Sequence, residues 1–186
     1  MAIVATDFPG LFIYEPAVFE DSRGYFFESY NEKDFIALGI DIKFVQDNQA
    51  RSAYGVIRGL HYQMDPYAQT KLIRVLSGNI LDVVVDIRKG SPGFGKAFSL
   101  ELSATNKKQL LIPKGFAHGY SVLSDTAEVF YKCDTFYNKA SEGGILYNDA
   151  ELGIDWMIPA EKAIVSDKDK VYPGIKDCSS NFIFET

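Results

Sequence analysis

Apolar residues recur at every second position over much of this chain. From Ile80 to Arg88, Leu81, Val83, Val85 and Ile87 share one face, while Asp82, Val84, Asp86 and Arg88 share the other. That is the alternation of a half-polar β-strand. Phe98–Ser103 alternates as cleanly. Lys71–Leu76, Lys108–Ile112, Tyr120–Leu123 and Ala127–Cys133 are further strand segments, rich in β-branched and aromatic residues. Turn chemistry separates them at Ser77-Gly78-Asn79, Lys89-Gly90-Ser91-Pro92-Gly93, Thr105-Asn106 and Pro113-Lys114-Gly115. Many short strands at this spacing predict an all-β, antiparallel barrel or sandwich. Helix is scarce. The best candidate starts at Asn31 as N-cap, with Asp34 three residues on, an apolar face of Phe35, Ile36 and Leu38, and a stop at Gly39. A shorter helical turn is expected near Pro159. No repeat, low-complexity tract or linker divides the chain, so residues 1–186 are read as a single domain.

Small barrels usually fill with aliphatic side chains, whereas here polar residues recur on one face of the strands. A polar lining predicts a ligand inside. Composition narrows what that ligand is. The chain carries 25 Asp and Glu against 19 Lys and Arg, a net charge of −6. A duplex-binding surface needs clustered positive charge, so nucleic acid is not the expected partner, although a few local cations suffice to hold one phosphorylated ligand. No apolar run reaches the ~18 residues of a membrane span, and the first residues lack the basic region of a signal peptide. Two cysteines, Cys133 and Cys178, are too few for a disulfide framework or a thiolate metal site. A cytoplasmic protein is expected. Only two histidines, His61 and His118, are present, which rules out a three-histidine zinc or iron site within one chain.

The densest chemistry lies in Gly55-Val56-Ile57-Arg58-Gly59-Leu60-His61-Tyr62-Gln63 and Gln69-Thr70-Lys71-Leu72-Ile73-Arg74-Val75. Arg58, His61 and Lys71 offer an anion clamp, a base near neutral pH and a cation; taken alone, Arg58 and Lys71 read more readily as ordinary strand-edge residues, and His61 reads equally well either way. Parity sets a difficulty, because Arg58 and His61 fall on opposite faces of a regular strand. Gly59 between them permits a bulge. His118, between small residues after the Pro113-Lys114-Gly115 turn, points to a crowded interior. Tyr131, Tyr137 and Glu142 follow, and Ser166-Asp167-Lys168-Asp169 looks by itself like a solvated charge run. In Asp21-Ser22-Arg23-Gly24-Tyr25-Phe26-Phe27-Glu28 an arginine sits beside aromatics, a phosphate-and-base grip or a plain edge strand.

Together these strings, with Gln46-Asp47-Asn48, Asp82–Arg88, Pro113–Gly119 and Tyr131–Tyr137, resemble in order and over nearly the whole chain the dTDP-4-dehydrorhamnose 3,5-epimerase family of dTDP-L-rhamnose synthesis. The resemblance implies a cupin-type antiparallel jelly roll, with a few short helices, acting as a homodimer without metal or organic cofactor. It implies a dTDP-linked 4-keto-6-deoxy sugar as substrate, with inversion at C3 and C5. By the same resemblance His61 is the base, Asp169 its orienting partner (Asp167 the alternative), Tyr131 the acid, and Lys71 the cation at the sugar oxygen. Tyr137 would stack on the thymine. Arg23, Phe26, Glu28, Gln46, Asn48, Arg58, His118, Glu142 and Lys168 would hold the nucleotide sugar.

The chemistry is coherent apart from the family. A C4 ketone acidifies the hydrogens at C3 and C5, because each carbanion delocalises as an enolate. Neutral imidazole, with an ordinary pKa of ~6.5, can remove such a hydrogen at cellular pH. A carboxylate on its other nitrogen fixes the tautomer, an ammonium at the ketone oxygen stabilises the oxyanion, and inversion needs a donor on the opposite face. Three rivals remain at this level. They are an epimerase acting at C3 only or C5 only, a non-catalytic sugar-binding jelly roll, and a metal-dependent cupin oxygenase, the last disfavoured by the histidine count.

Overall fold

Why a strand with two aspartates can be buried on both faces is answered by the layering of the computed structural model, which describes residues 2–184. Strands β1 (Ala2–Ala5), β2 (Phe12–Glu15), β3 (Phe19–Asp21) and β4 (Gly24–Phe26) precede helix α1 (Glu32–Ala37). Then follow β5 (Gln46–Ala53), β6 (Val56–Gln63), β7 (Lys71–Ser77), β8 (Asn79–Asp86), β9 (Ala97–Ser103), β10 (Gln109–Ile112), β11 (Phe116–Val122) and β12 (Thr126–Cys133). Two short strands, β13 (Glu142–Gly144) and β14 (Ile164–Val165), and three short 3-10 turns complete the chain. One six-stranded sheet runs β1-β2-β10-β7-β12-β5, and the facing sheet runs β13-β6-β11-β8-β9 with β14 parallel to β6. All other pairings within these sheets are antiparallel. This is the antiparallel barrel expected from the strand pattern, in the jelly-roll form that the family resemblance implies.

Three apolar clusters hold the layers. Between the sheets, Ile73, Val75, Leu110, Ile112, Ala127 and Val129 of one meet Ile80, Val84, Leu102, Phe116 and Val122 of the other. Outside the second sheet, Ile57, Leu60, Leu81, Val83 and Val85 are covered by Ile145, Leu152, Trp156, Ile175 and Phe182 from the C-terminal segment. Outside the first sheet, Tyr14, Leu72 and Leu111 are covered by Phe35 of α1. Strand β8 is therefore apolar outward, beneath a coat of chain, and turns Asp82 and Asp86 inward. Both aspartates are fully buried. The half-polar reading of this strand holds, and its polar face looks into the barrel, as the expected polar lining requires.

Local sequence explains where elements begin and stop. Asn31 caps α1, its side chain accepting from Lys33 N. The helix has only six residues, so a single side chain reaches the sheet. Phe35 is buried, while Ile36 and Leu38, expected beside it, are 50% and 44% exposed. Phe35 instead packs its ring against Tyr14 and Tyr30, both at 5.1 Å between centroids. Strand β11 starts at Phe116, four residues before the expected Tyr120, and β5 was not anticipated. Its inward residues, Gln46, Asn48 and Ser52, are as polar as its outward ones, so hydrophobic periodicity is silent there.

Hairpin β3–β4 pairs only with itself and leaves Phe19, Tyr25 and Phe26 exposed. The neighbouring Phe12–Glu15, by contrast, is used within the chain, between β1 and β10.

The decisive irregularity is in β6. His118 pairs with His61 and Tyr120 with Arg58, so three steps on β6 oppose two on β11. One extra residue is accommodated at Gly59, whose φ is +134°, and the face of the strand resets. Ile57 and Leu60 both point to the outer cluster, while Arg58 and His61 both point inward. A Cβ on Gly59 would lie 2.5 Å from Gly119 Cα. Gly59→Ala is therefore expected to destabilise the fold by roughly 2 kcal/mol or more, read as the urea midpoint at fixed protein concentration. An unchanged midpoint would show that the bulge does not depend on the missing side chain.

Candidate active site

The inward residues meet in two connected compartments. The outer, of about 300 Å³, is lined by Gln46, Asn48, His61, Tyr62, Gln63, Gln69, Lys71, Tyr131, Tyr137 and Glu142. The inner, of about 140 Å³, adds Ala50, Arg58, His118 and Tyr120, and shares His61, Lys71 and Tyr131 with the first. His61 projects from β6 and Tyr131 from β12, which belong to facing sheets. Lys71, at the start of β7, pairs in register with Cys133 beside Tyr131, and its Nζ stands 5.9 Å from the Tyr131 ring centroid.

His61 Nε2 lies 2.7 Å from Asp169 Oδ1. Asp169 also accepts from the Gly59 N–H at 3.3 Å, and its own N–H donates to Ser166 Oγ. Burial alone would raise the Asp169 carboxyl. The hydrogen bond and charge of His61, with the Gly59 and Ser166 contacts, outweigh it and hold the group below the usual carboxylate range. An ionised carboxylate only accepts, so Nε2 carries the imidazole proton and Nδ1 keeps its lone pair. Asp167, by contrast, is solvent-exposed and faces Lys170 at 3.3 Å. Of the two aspartates, Asp169 is the one placed against His61.

A second pair is built alike. His118 Nε2 lies 2.9 Å from Oδ2 of Asp82, whose other oxygen has no hydrogen-bond partner among the described residues. Burial raises the Tyr131 hydroxyl to about 12, Cys133 and Tyr120 adding to the effect and Arg58 opposing it, so it stays a proton donor. Burial pulls the Lys71 ammonium below the ordinary lysine value, against Cys133, Asp82 and Glu142. At the mouth, burial opposes ionisation of Glu142. Contacts from Lys168 and Tyr137 nevertheless hold its carboxyl low; the Tyr137 hydroxyl donates to Oε2 at 2.9 Å and Lys168 pairs with Oε1. Arg58 Nε donates to Ser52 Oγ at 3.1 Å.

The structure thus brings together His61, Asp169, Tyr131, Lys71, Gln46, Asn48, Arg58, His118, Tyr137, Glu142 and Lys168. It does not bring Arg23, Phe26 and Glu28 to them within one chain. Arg23 is 88% exposed at its side chain and tied to Asp21, and it lines a separate depression with Phe26 on the β3–β4 hairpin. Glu28 is exposed beside Asn31. Residues without an assigned role also enter the site, namely Asp82, Tyr120, Gln63 and Gln69. Asp82 was signalled by its inward parity in β8; the others carried no signal beyond their strings. Among the described residues, no cluster of three or more His, Cys, Asp or Glu is placed to hold a metal ion.

A jelly roll whose interior carries a histidine–carboxylate pair facing a partly buried tyrosine and lysine is built for proton transfer on a small polar ligand. Comparison with known proteins makes this specific. Residues 5–177 match the dTDP-4-dehydrorhamnose 3,5-epimerase family. The chain is 53% identical over 170 residues to the dTDP-4-dehydrorhamnose 3,5-epimerase of Shigella flexneri, covering 91% of this chain and 93% of that one. It superposes with a TM-score of 0.94 and 44% identity on dTDP-6-deoxy-D-glucose-3,5-epimerase of Legionella pneumophila in complex with dTDP-4-keto-L-rhamnose, covering 100% of this chain and 99% of that one. A 3′-monoepimerase from Streptomyces bikiniensis in complex with dTDP-quinovose is also similar, at a TM-score of 0.85 and 32% identity over 92% of this chain and 86% of that one. The chain belongs to the dTDP-4-dehydrorhamnose 3,5-epimerase family.

Because the folded Asp169 carboxyl titrates below its unfolded value, its stabilising contribution is complete above the ordinary ~3.9 and is lost as pH falls through the lower folded value. Asp169→Asn is expected to flatten the acid limb of stability. Urea midpoints measured between neutral pH and pH ~3 should converge for the two proteins at the acid end, and parallel curves would refute the assignment.

Proposed function

We propose that this protein converts dTDP-4-dehydro-6-deoxy-D-glucose to dTDP-4-dehydro-L-rhamnose by epimerisation at C3 and C5 through enolate intermediates. One observation carries the reading: a carboxylate-oriented imidazole and a tyrosine hydroxyl project from facing sheets into one cavity, with a lysine ammonium beside the tyrosine. His61 Nδ1 takes the proton from C3 or C5, its Nε2–H held by Asp169, which supports the imidazolium as it forms. Lys71 stabilises the enolate oxygen at C4, in a site where water does not screen it. Tyr131 delivers a proton to the opposite face of the carbon. Each inversion leaves an imidazolium and a tyrosinate, so exchange with solvent resets both before the second centre reacts. The substrate is neither oxidised nor reduced overall, and the reading assigns no step to a metal or organic cofactor.

Arg58, His118, Gln46, Asn48, Glu142 and Lys168 surround the remaining space and hold the nucleotide sugar, with Tyr137 stacked on the thymine. Arg23, Phe26 and Glu28 reach a substrate only if a second copy presents them. The reading therefore includes a cytoplasmic homodimer of this single domain, in which the exposed β3–β4 hairpin of each subunit closes the cavity of the other. The exposed Phe19, Tyr25 and Phe26 support it, since an isolated aromatic hairpin is marginal in water. Light scattering at micromolar concentration should report a dimer, and Arg23→Ala should weaken dTDP binding despite its distance from the cavity of its own subunit. A monomer, or unchanged affinity, removes this part of the reading.

Proton NMR of the 4-keto sugar in deuterated water tests the chemistry. Wild type should exchange and invert both carbons. His61→Ala should lose exchange at both, and Tyr131→Phe should retain exchange while inversion falls, by roughly a hundredfold or more for a lost acid–base group. A folded His61→Ala protein that inverts both centres would falsify the mechanism. The single-centre specificity of the Streptomyces bikiniensis relative makes epimerisation at C3 only or C5 only the second reading. Deuterium at one carbon alone would select it.

A further inference from the structure

Tyr137 sits on a segment with little sheet pairing of its own. Residues 134–138 leave the end of β12, and Tyr137 is exposed, at 54%. Nothing in the local backbone fixes its plane. The ring is held at its far end, where the hydroxyl donates to Glu142 Oε2 at 2.9 Å, and the backbone that carries it is held by side-chain amides. The Tyr137 N–H donates to Gln46 Oε1 at 3.0 Å, and the next N–H, of Asn138, donates to Gln63 Oε1 at 2.6 Å. Gln69 Nε2 donates to the Thr135 carbonyl at 2.7 Å. Below them, Asp134 exchanges two bonds with Thr70, through its carboxylate and its own N–H.

Gln46 lies on β5 and Gln63 on β6, which belong to opposite sheets. Two successive N–H groups are thus gripped from the two walls of the barrel mouth. Gln63 is the centre of this arrangement. It is 6% exposed, and while its oxygen accepts from Asn138 its nitrogen donates to the Tyr67 carbonyl at 2.7 Å, joining two loops. Only an amide supplies acceptor and donor together at that length; a carboxylate would lose the bond to Tyr67 and an ammonium the bond to Asn138.

We propose that Gln63, supported by Gln46 and Gln69, is a positioning residue of the nucleobase site. It fixes the backbone from which the Tyr137 ring projects, with Glu142 holding the ring hydroxyl, before nucleotide arrives, and governs affinity through that ring. The proposal rests on the reading that Tyr137 stacks on the base. Its physical content is preorganisation. A shelf already ordered in the free protein does not lose loop entropy on binding, so binding is tighter even though both amide groups of Gln63 are already engaged with Tyr67 and Asn138.

The test is a double-mutant cycle on the full-length protein, with dTDP as the probe in titration calorimetry. Gln63→Met keeps the volume and removes both hydrogen bonds, and should weaken dTDP binding roughly tenfold. In turnover the loss should fall on KM more than on kcat. Tyr137→Ala should weaken binding by a similar or larger factor. If Gln63 acts through the ring, adding Gln63→Met to Tyr137→Ala costs less than about a further twofold. A full tenfold loss in the Tyr137→Ala background, or none in the wild-type background, overturns the positioning role and leaves the stacking reading intact. Unchanged affinity in Tyr137→Ala overturns both. Should Gln63→Met fail to fold, Gln69→Met, which cuts only the bond to Thr135, enters the same cycle under the same criteria.

Discussion

The site depends on one extra residue in β6. A regular strand would alternate Arg58 and His61 between the interior and the outer apolar coat, and Leu60 would take the place of the imidazole. The bulge at Gly59 reverses that, and it does a second thing. An inserted residue leaves its own N–H outside the ladder, where a buried donor without a partner is costly. Here the Gly59 N–H donates to Asp169, the same carboxylate that meets His61. The irregularity that aims the imidazole thus also helps to hold its partner. Gly119, directly across from the bulge, has no side chain to obstruct the approach.

Around this point the barrel interior divides by polarity. Where the sheets meet through Ile73, Val75, Val84, Leu110 and Val129 the interior is an ordinary apolar core. Around His61 it contains an ammonium, two histidine–carboxylate pairs, a guanidinium and buried phenols. Enclosing such groups is unfavourable unless they are paired, and Asp82 has one oxygen without a hydrogen-bond partner among the described residues. The apolar clusters on both outer faces offset this cost. They also explain why a barrel that gives up part of its interior to polar chemistry needs the C-terminal segment wrapped over one sheet and α1 over the other.

How much of this was legible in the sequence varies with the kind of force involved. Burial of apolar side chains leaves a periodic trace, so β7, β8, β9, β10 and β12 could be read directly, as could the Asn31 cap, a local interaction. Strand β5 could not be, because both its faces are polar. Nor could β13 and β14, two or three residues long and held by β6 rather than by their own propensity. Parity revealed the conflict between Arg58 and His61 and pointed to Gly59, but only pairing with β11 shows the shift. The choice between Asp167 and Asp169 lay in a turn. Asp169 N donates to the Ser166 carbonyl and hydroxyl, which turns the later aspartate inward and leaves the earlier one in water. Family resemblance attached roles to Arg23, Phe26 and Glu28 yet gave no sign that they lie apart from the cavity of their own chain, because order along a sequence contains no information about which copy completes a site.

The charge balance fits the proposed substrate only when distance is considered. A chain with net charge −6 appears unsuited to an anionic nucleotide. At physiological ionic strength, however, exposed charges are screened beyond about 8 Å, whereas groups lining a partly enclosed cavity are not screened to that degree. On the proposed reading, a diphosphate meets the local set of Arg58, Lys71 and Lys168, rather than the acidic exterior. Within that set the cations are not equivalent. Lys168 is already paired with Glu142 at the mouth, and Arg58 hydrogen-bonds a neutral serine. Lys71 is the one whose ammonium is disfavoured by burial, so an anion forming beside it is stabilised more than one already present in water. On the proposed mechanism, the same burial that disfavours the Lys71 ammonium makes it effective toward a developing enolate oxygen.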